Sequence, residues 1–324
     1  MTALTMAKAI NAGLRRALAA DPKVLLAGED IGKLGGVFRV TEGLQAEFGP
    51  DRVVDSPLAE SGIVGTSLGL ALRGYRPVVE IQFDGFTWPA FDQLVSQVAR
   101  LHFRSHGRLT VPMVVRIPYG GGIGAIEHHS ESPEAYFAHT PGLLVVSPAT
   151  AGDAYWMIQQ AIAADDPVVF LEPKRRYHER GEVDTAATPL PLHQARVVKA
   201  GTDATLIGYG PMVRTCVEAA IAAAGEGRNL EVIDLRSISP LDDDTVLTSV
   251  ARTGRAIVVH EAAGSFGVGA EVAARIQERC FYALQAPVLR VTGYDLPYPP
   301  SRVEDDFLPD LDRVLDAVDR SLAY

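Results

Sequence analysis

Short apolar runs alternate with longer helix-patterned stretches along almost the whole of this 324-residue chain. Residues 24–27, 78–83, 111–117, 143–147 and 168–171 read as strands. Residues 63–72, 90–103 and 152–163 read as helices, the last with Ala154, Ile158, Ala161 and Ile162 on one face. Strands that alternate with helices predict an α/β fold with a mostly parallel sheet covered on both sides. The pattern breaks between Glu179 and Leu192, where Gly181, Pro189 and Pro191 occur without an apolar period. It then resumes, with strands at 204–207, 230–233, 256–259 and 288–291 and helices at 213–224, 268–278 and 308–322. A chain of this length is too long for one ordinary core and suits two domains. We expect a first domain over 1–185, a linker over 186–195 and a smaller α/β domain over 196–324.

The formal charge of −10 argues against a nucleic-acid partner, because phosphate contacts need clustered Lys and Arg. The densest basic run, Lys174-Arg175-Arg176, is short and is followed by Glu179, Glu182 and Asp184, so it reads as a local patch. Cys216 and Cys280 have neither metal-ligand spacing nor a disulfide framework. No apolar run is long enough to span a bilayer and no cleavage signature is visible, so a cytoplasmic setting is expected.

Chemistry concentrates in three segments. The first runs from Asp55 to Gly65 and puts one carboxyl, Glu60, where an extended Ser-Pro stretch meets a small-residue helix. Such a group is either a solvated helix-start residue or a functional acid whose hold on its proton is strengthened by burial. In the second, glycines at 120, 121, 122 and 124 lead into Glu127-His128-His129-Ser130-Glu131-Ser132-Pro133-Glu134. A glycine hinge that runs into adjacent histidines suits an active-site loop. The plainer reading is a polar turn in which Ser132 caps a following helix, and both can hold together. The third, residues 81–93, gathers Phe83, Phe86, Trp88 and Phe91 after a strand end. That is where parallel sheets bind ligands, although most such aromatics are core.

Two familiar patterns fail on context. Gly65-Thr66-Ser67-Leu68-Gly69 matches a nucleophile elbow, but Ser67 falls inside a helix pattern instead of a strand-to-helix turn. Gly208-Tyr209-Gly210 resembles half of a dinucleotide fingerprint, yet Val213 occupies the third glycine position.

Taken together, several ordered blocks resemble one family over nearly the whole chain: the β subunits of thiamine-diphosphate-dependent 2-oxoacid dehydrogenases. The blocks are Gly28-Glu29-Asp30, Gly36-Val37-Phe38, Thr41-Glu42-Gly43-Leu44, Pro57-Leu58-Ala59-Glu60-Ser61-Gly62 and residues 83–93. His129-Ser130-Glu131-Ser132-Pro133-Glu134-Ala135, Leu171-Glu172-Pro173-Lys174 and Phe266-Gly267-Val268-Gly269-Ala270-Glu271 complete them. The resemblance implies a parallel-sheet pyrimidine-binding domain followed by a transketolase C-terminal-like domain. It implies that Glu60 hydrogen-bonds the aminopyrimidine ring, that Phe86 stacks on it, and that Leu58 and Gln82 neighbour the cofactor. His129 matches the active-site histidine, and Glu29, Phe83 and His128 fall at pocket or supporting positions.

No Gly-Asp-Gly occurs, the nearest sequence being Gly152-Asp153-Ala154. In the family that motif holds magnesium and the diphosphate. The resemblance therefore implies half of each active site, completed by an α subunit in a two-plus-two heterotetramer whose partner binds the magnesium. Some members hold potassium near the residues corresponding to Ala164, Asp165 and Asp166. The implied reaction is oxidative decarboxylation of a 2-oxoacid with acylation of a lipoyl arm on an acyltransferase core. Residues 83–93, His260-Glu261-Ala262 and Gly293-Tyr294-Asp295 resemble branched-chain members more than pyruvate members. The alternatives are the same role with pyruvate and a non-catalytic docking subunit.

Overall fold

The computed structural model describes all 324 residues. Val24–Gly28 carries no polar side chain and is buried throughout, as a strand covered on both faces must be. It lies at the turning point of a seven-stranded sheet. Val53–Asp55 pairs on one side of it, and Arg76–Glu80, Val114–Tyr119, Val168–Pro173 and Leu144–Val146 follow in order on the other, all parallel. The chain thus leaves Val24–Gly28 in one direction and returns on its opposite side. In open parallel sheets such a reversal leaves a crevice beyond the carboxyl ends of the strands.

The outermost strand, Ser237–Ser239, comes from the second half of the chain and runs antiparallel to Leu144–Val146. The second half has its own sheet, in the order Leu289–Gly293, Ala256–Ala263, Ala204–Gly208, Leu230–Asp234 and Arg196–Lys199. Only the last pairing is antiparallel.

Helices complete the layers. Met6–Ala20 starts at Thr5, whose hydroxyl accepts the Lys8 N–H at 3.3 Å, and buries Ile10, Leu14 and Leu18. It packs on Ala151–Ala163 so closely that a Cβ at Gly13 would lie 2.8 Å from the Tyr155 carbonyl oxygen. On the other face of the first sheet, one apolar core joins Ile117 and Leu171 to Ile207, Val258 and Ile276 of the second half. The two halves are therefore packed as one body. Their joint also holds Asp153, which accepts from Arg196 at 2.8 Å and Arg236 at 3.0 Å.

The strand and helix expectations hold to within a few residues at most ends, with three differences. The helix expected at 90–103 is divided into Thr87–Asp92, a wider π-helical stretch Gln93–Val98, and Leu101–Arg104. A π turn inserts residues that a 3.6-residue pattern does not register. The stretch after Glu179 is not all connection, because Arg180–Val183 pairs antiparallel with Thr2–Thr5. A small exposed ribbon of this kind forms on backbone bonds and needs no apolar period. Ser132 does not cap Glu134–Ala138; Pro133 stands at the cap position, and no side chain bonds there.

Glu134 sits at the same joint, fully buried, and accepts the Tyr209 hydroxyl at 2.6 Å. Burial, with a smaller contribution from the charge of Glu261, pushes its carboxyl up to about 7. A folded-state value above the unfolded one contributes stability that is complete below the unfolded value near 4.5 and lost as pH rises through about 7. The thermal midpoint of Glu134→Gln is accordingly expected to fall less than that of the wild type between pH 5 and pH 8. Parallel pH profiles for the two proteins would exclude this role.

Candidate active site

The crevice at the reversal point collects the first group of candidate residues. Glu29 directly follows Val24–Gly28, and Glu60 is the first residue of the helix Glu60–Leu72. Glu60 is only 7 % exposed, and its carboxyl has no hydrogen-bond or ion-pair partner within the chain. The helix start favours a negative charge there, since unpaired N–H groups point toward it. Burial first, then the charges of Asp30 and Glu60, raise Glu29 above the usual carboxyl range.

The second group is an aromatic and histidine wall. The strand Arg76–Glu80 ends just before Gln82 and Phe83, and a single 3₁₀ turn, Asp84–Phe86, brings Phe86 round. The Phe83 ring lies 4.0 Å from the His129 ring, and Phe86 meets His129 edge-on at 5.4 Å. His128 is the outer of the pair, with its ring 6.3 Å from Phe86 and 4.4 Å from His129. Gly85 has to be small, because a Cβ there would fall 2.3 Å from the His128 carbonyl oxygen. Burial, then the charges of His128 and Lys174, lower the His129 imidazole below its ordinary value, so it is neutral at pH 7. Its Nδ1 is buried without a partner. Leu58, two positions before the Glu60 helix, is 65 % exposed in this chain.

Several supporting residues were not singled out as site residues from the sequence. Asp84 and Lys174 form an ion pair with no solvent exposure of either side chain. The Lys174 ammonium also donates to the His129 carbonyl and lies 5.7 Å above the Phe83 ring, while Asp84 accepts the Glu131 N–H at 2.6 Å. This pair therefore fixes the histidine segment by its backbone. Beneath it, Arg116 donates to Glu172 at 2.6 and 3.0 Å and to Glu80 at 2.7 Å, all inside the sheet. The Tyr177 hydroxyl donates to Glu172 at 2.5 Å; its ring packs on Phe38, which in turn packs on Phe83. A strand-end lysine and an aspartate ninety positions away have no shared spacing. The only signal was a charged residue next to an apolar run, as in Leu171-Glu172-Pro173-Lys174.

The rejected motifs are structural. Ser67 is buried within Glu60–Leu72, and the 208–210 turn packs against Tyr119 and Ser147 of the first half. Asp165, from the segment compared with a potassium site, pairs with Arg76 at 3.0 Å. A cleft of about 1560 Å³ lies between the halves, with Trp88, Phe91, Tyr136, Phe266 and Tyr294 among its walls; Glu29, Leu58, Glu60, Gln82, Phe83, Phe86, His128 and His129 do not line it. No helix is long and apolar enough to cross a membrane.

Comparison with known proteins agrees with this geometry. Residues 2–179 match the family described as transketolase, pyrimidine binding domain, and residues 193–314 match transketolase, C-terminal domain. A pyruvate dehydrogenase E1 component subunit beta from Leifsonia xyli is 62% identical over 321 residues, covering 99% of this chain and 95% of the relative. A 3-methyl-2-oxobutanoate dehydrogenase subunit beta from Mycobacterium tuberculosis is 57% identical over 320 residues, covering 98% and 92%. Among solved structures, a split-gene transketolase described as an inactive beta4 tetramer superposes with a TM-score of 0.82. It is 22% identical and covers 99% of this chain and 98% of its own; at that identity the likeness concerns the fold. With pyrimidine-binding and C-terminal matches in this order, and relatives this similar along their whole length, the chain belongs to the transketolase-like β subunits of 2-oxoacid dehydrogenases.

Proposed function

We propose that this chain is the β half of a decarboxylating 2-oxoacid dehydrogenase component, acting on branched-chain 2-oxoacids and passing the acyl group to a lipoyl arm. The observation that carries this reading is the placement of Glu60 at the reversal point of the sheet, 7 % exposed, with no partner inside the chain. A carboxyl held in a crevice and left unpaired by its own chain is free to bind a ligand there. The aminopyrimidine ring of thiamine diphosphate fits that place: a ring nitrogen offered to Glu60, an apolar face offered to Phe86, and Gln82 beside them. When bound, the cofactor supplies a nucleophilic carbon and a sink for the electron pair left by decarboxylation.

The chain's own residues would then divide the work. Glu60 holds a proton against the ring nitrogen. Phe83 and Phe86 exclude water beside it. His129, neutral at pH 7 with Nδ1 free, holds or receives a proton during acyl transfer. Glu29 and His128 support the pocket rim. Leu58, apolar and exposed in the single chain, suits a position covered by a partner.

An α subunit in a two-plus-two assembly would provide magnesium and the diphosphate site, since this sequence has no Gly-Asp-Gly. The domain limits 1–185 and 196–324, with a linker over 186–195, are a further part of the proposal. A dihydrolipoyl acyltransferase core is the proposed acceptor, in the cytoplasm. The pyruvate reading is favoured by one observation, the higher identity to a pyruvate-named relative, 62% against 57%. Co-expression with an α subunit and thiamine diphosphate, followed by artificial-acceptor reduction with 2-oxoisovalerate and pyruvate side by side, tests both. We expect no turnover by the chain alone and a preference for 2-oxoisovalerate by the assembly. A preference for pyruvate selects the second reading, and decarboxylation by the isolated chain overturns the shared site.

A further inference from the structure

Between Val114–Tyr119 and Glu134–Ala138 the chain runs out and back as a closed loop. The Gly120 N–H donates to the Glu131 carbonyl at 2.8 Å and shuts its base. The histidine limb is fixed from the first half by Asp84 and Lys174. The glycine limb is fixed from the second half. There the Gly121 N–H donates to Glu261 at 3.2 Å, and the Gly122 and Gly124 N–H groups donate to the two oxygens of Glu304 at 2.8 and 2.9 Å. The Tyr298 hydroxyl donates to Glu304 at 2.6 Å and accepts from the Gly122 N–H at 3.2 Å. Arg175 pairs with Glu261 behind them.

The backbone is shaped for these contacts. Gly120, Gly122 and Gly124 have φ of 83°, 83° and 68°, a conformation that turns amides toward an anion and that glycine adopts without strain. A Cβ at Gly121 would lie 1.8 Å from the Tyr298 hydroxyl oxygen. Glu304 is 6 % exposed and has no cation beside it, so both its oxygens depend on the loop and on Tyr298. At the far end, the His129 ring rests against the Phe83 and Phe86 rings, with Nδ1 unbonded. Its orientation follows from where the loop backbone is held.

We propose that Glu304, with Tyr298 and Glu261, is a positioning device by which the second half of the chain sets the loop that presents His129. This rests on the reading of His129 as an acyl-transfer residue. The test uses the enzyme assembled with its α subunit, comparing wild type, Glu304→Ala, Tyr298→Phe and His129→Ala. Hydrogen exchange by mass spectrometry and acylation of a lipoyl domain are both measured. In Glu304→Ala, exchange of the peptide spanning 120–131 is expected to quicken by about tenfold or more. Leu311–Leu322 should keep its protection, and lipoyl acylation should fall toward the His129→Ala level. Tyr298→Phe, which keeps its ring on Phe307 at 5.0 Å, should show a smaller change of the same kind, and it decides the matter if Glu304→Ala does not assemble. Unchanged exchange at 120–131, or faster exchange throughout the second half, overturns the proposal. So does a loosened loop with undiminished acylation while His129→Ala is impaired. Normal acylation by His129→Ala instead overturns the functional reading beneath it.

Discussion

Glu60→Gln is expected to lower turnover of the assembled enzyme by about 10²- to 10⁴-fold, the usual contribution of a positioned acid or base. Its unfolding midpoint should barely move. The substitution keeps the shape and the hydrogen-bonding reach of the side chain and removes only its ability to pass a proton. Within this chain the carboxyl makes no bond that could be lost. What remains is the favourable placement of a charge at a helix start, worth roughly 0.3–1 kcal/mol. The relevant measurement is artificial-acceptor reduction at saturating 2-oxoacid, beside a thermal melt. Turnover within about threefold of wild type, far short of the loss expected for a proton-transfer group, would end the assignment of Glu60.

Arg116→Met is expected to produce the largest loss of stability. It leaves Glu80 and Glu172 inside the sheet without their guanidinium, at 5 % and 0 % side-chain exposure. Breaking a buried pair from one side typically costs about 3–5 kcal/mol. Burial already raises the Glu80 carboxyl, against the opposing pull of Arg116. Without Arg116 that rise must grow. A raised folded-state value means that stability is retained below the unfolded value and lost as pH climbs through the folded one. The variant should therefore be nearest to wild type around pH 5 and furthest from it around pH 8. Urea midpoints of the two proteins at each pH give the comparison, and a pH-independent gap would show that the glutamates are not left charged and unpaired. Because Glu172 also holds Tyr177, and Tyr177 holds Phe38 and through it Phe83, the aromatic wall should loosen as well.

Much of this was legible beforehand because two periodicities are local. A buried strand such as Val24–Gly28 announces itself by lacking polar side chains, and the amphipathic face of Ala151–Ala163 by its spacing. Glu60 stood out for the same reason, as a carboxyl where apolar pattern resumed. The ribbon formed by Thr2–Thr5 and Arg180–Val183 was not legible, since backbone pairing between distant exposed segments leaves no side-chain period. Nor was the π-helical stretch, whose extra residues blur the helical phase. Asp84, Lys174 and Glu304 were missed as positioning groups because the first two pair across ninety positions and all three also bond backbone atoms of a loop distant in sequence. Composition carries no trace of which carbonyl an ammonium will find. Leu58 marks the opposite case, a residue singled out by resemblance whose single-chain environment is largely solvent.

The strand Ser237–Ser239 gives the fold a practical property. It closes the edge of a sheet otherwise built entirely from the first half. A fragment ending near residue 185 would bare Leu144–Val146 along its length, with unsatisfied amides and carbonyls beside apolar side chains, which is a template for intermolecular pairing. Dissection of this subunit at its connecting segment should therefore yield insoluble material from the amino-terminal piece, and supplying a peptide that contains Ser237–Ser239 should improve its recovery.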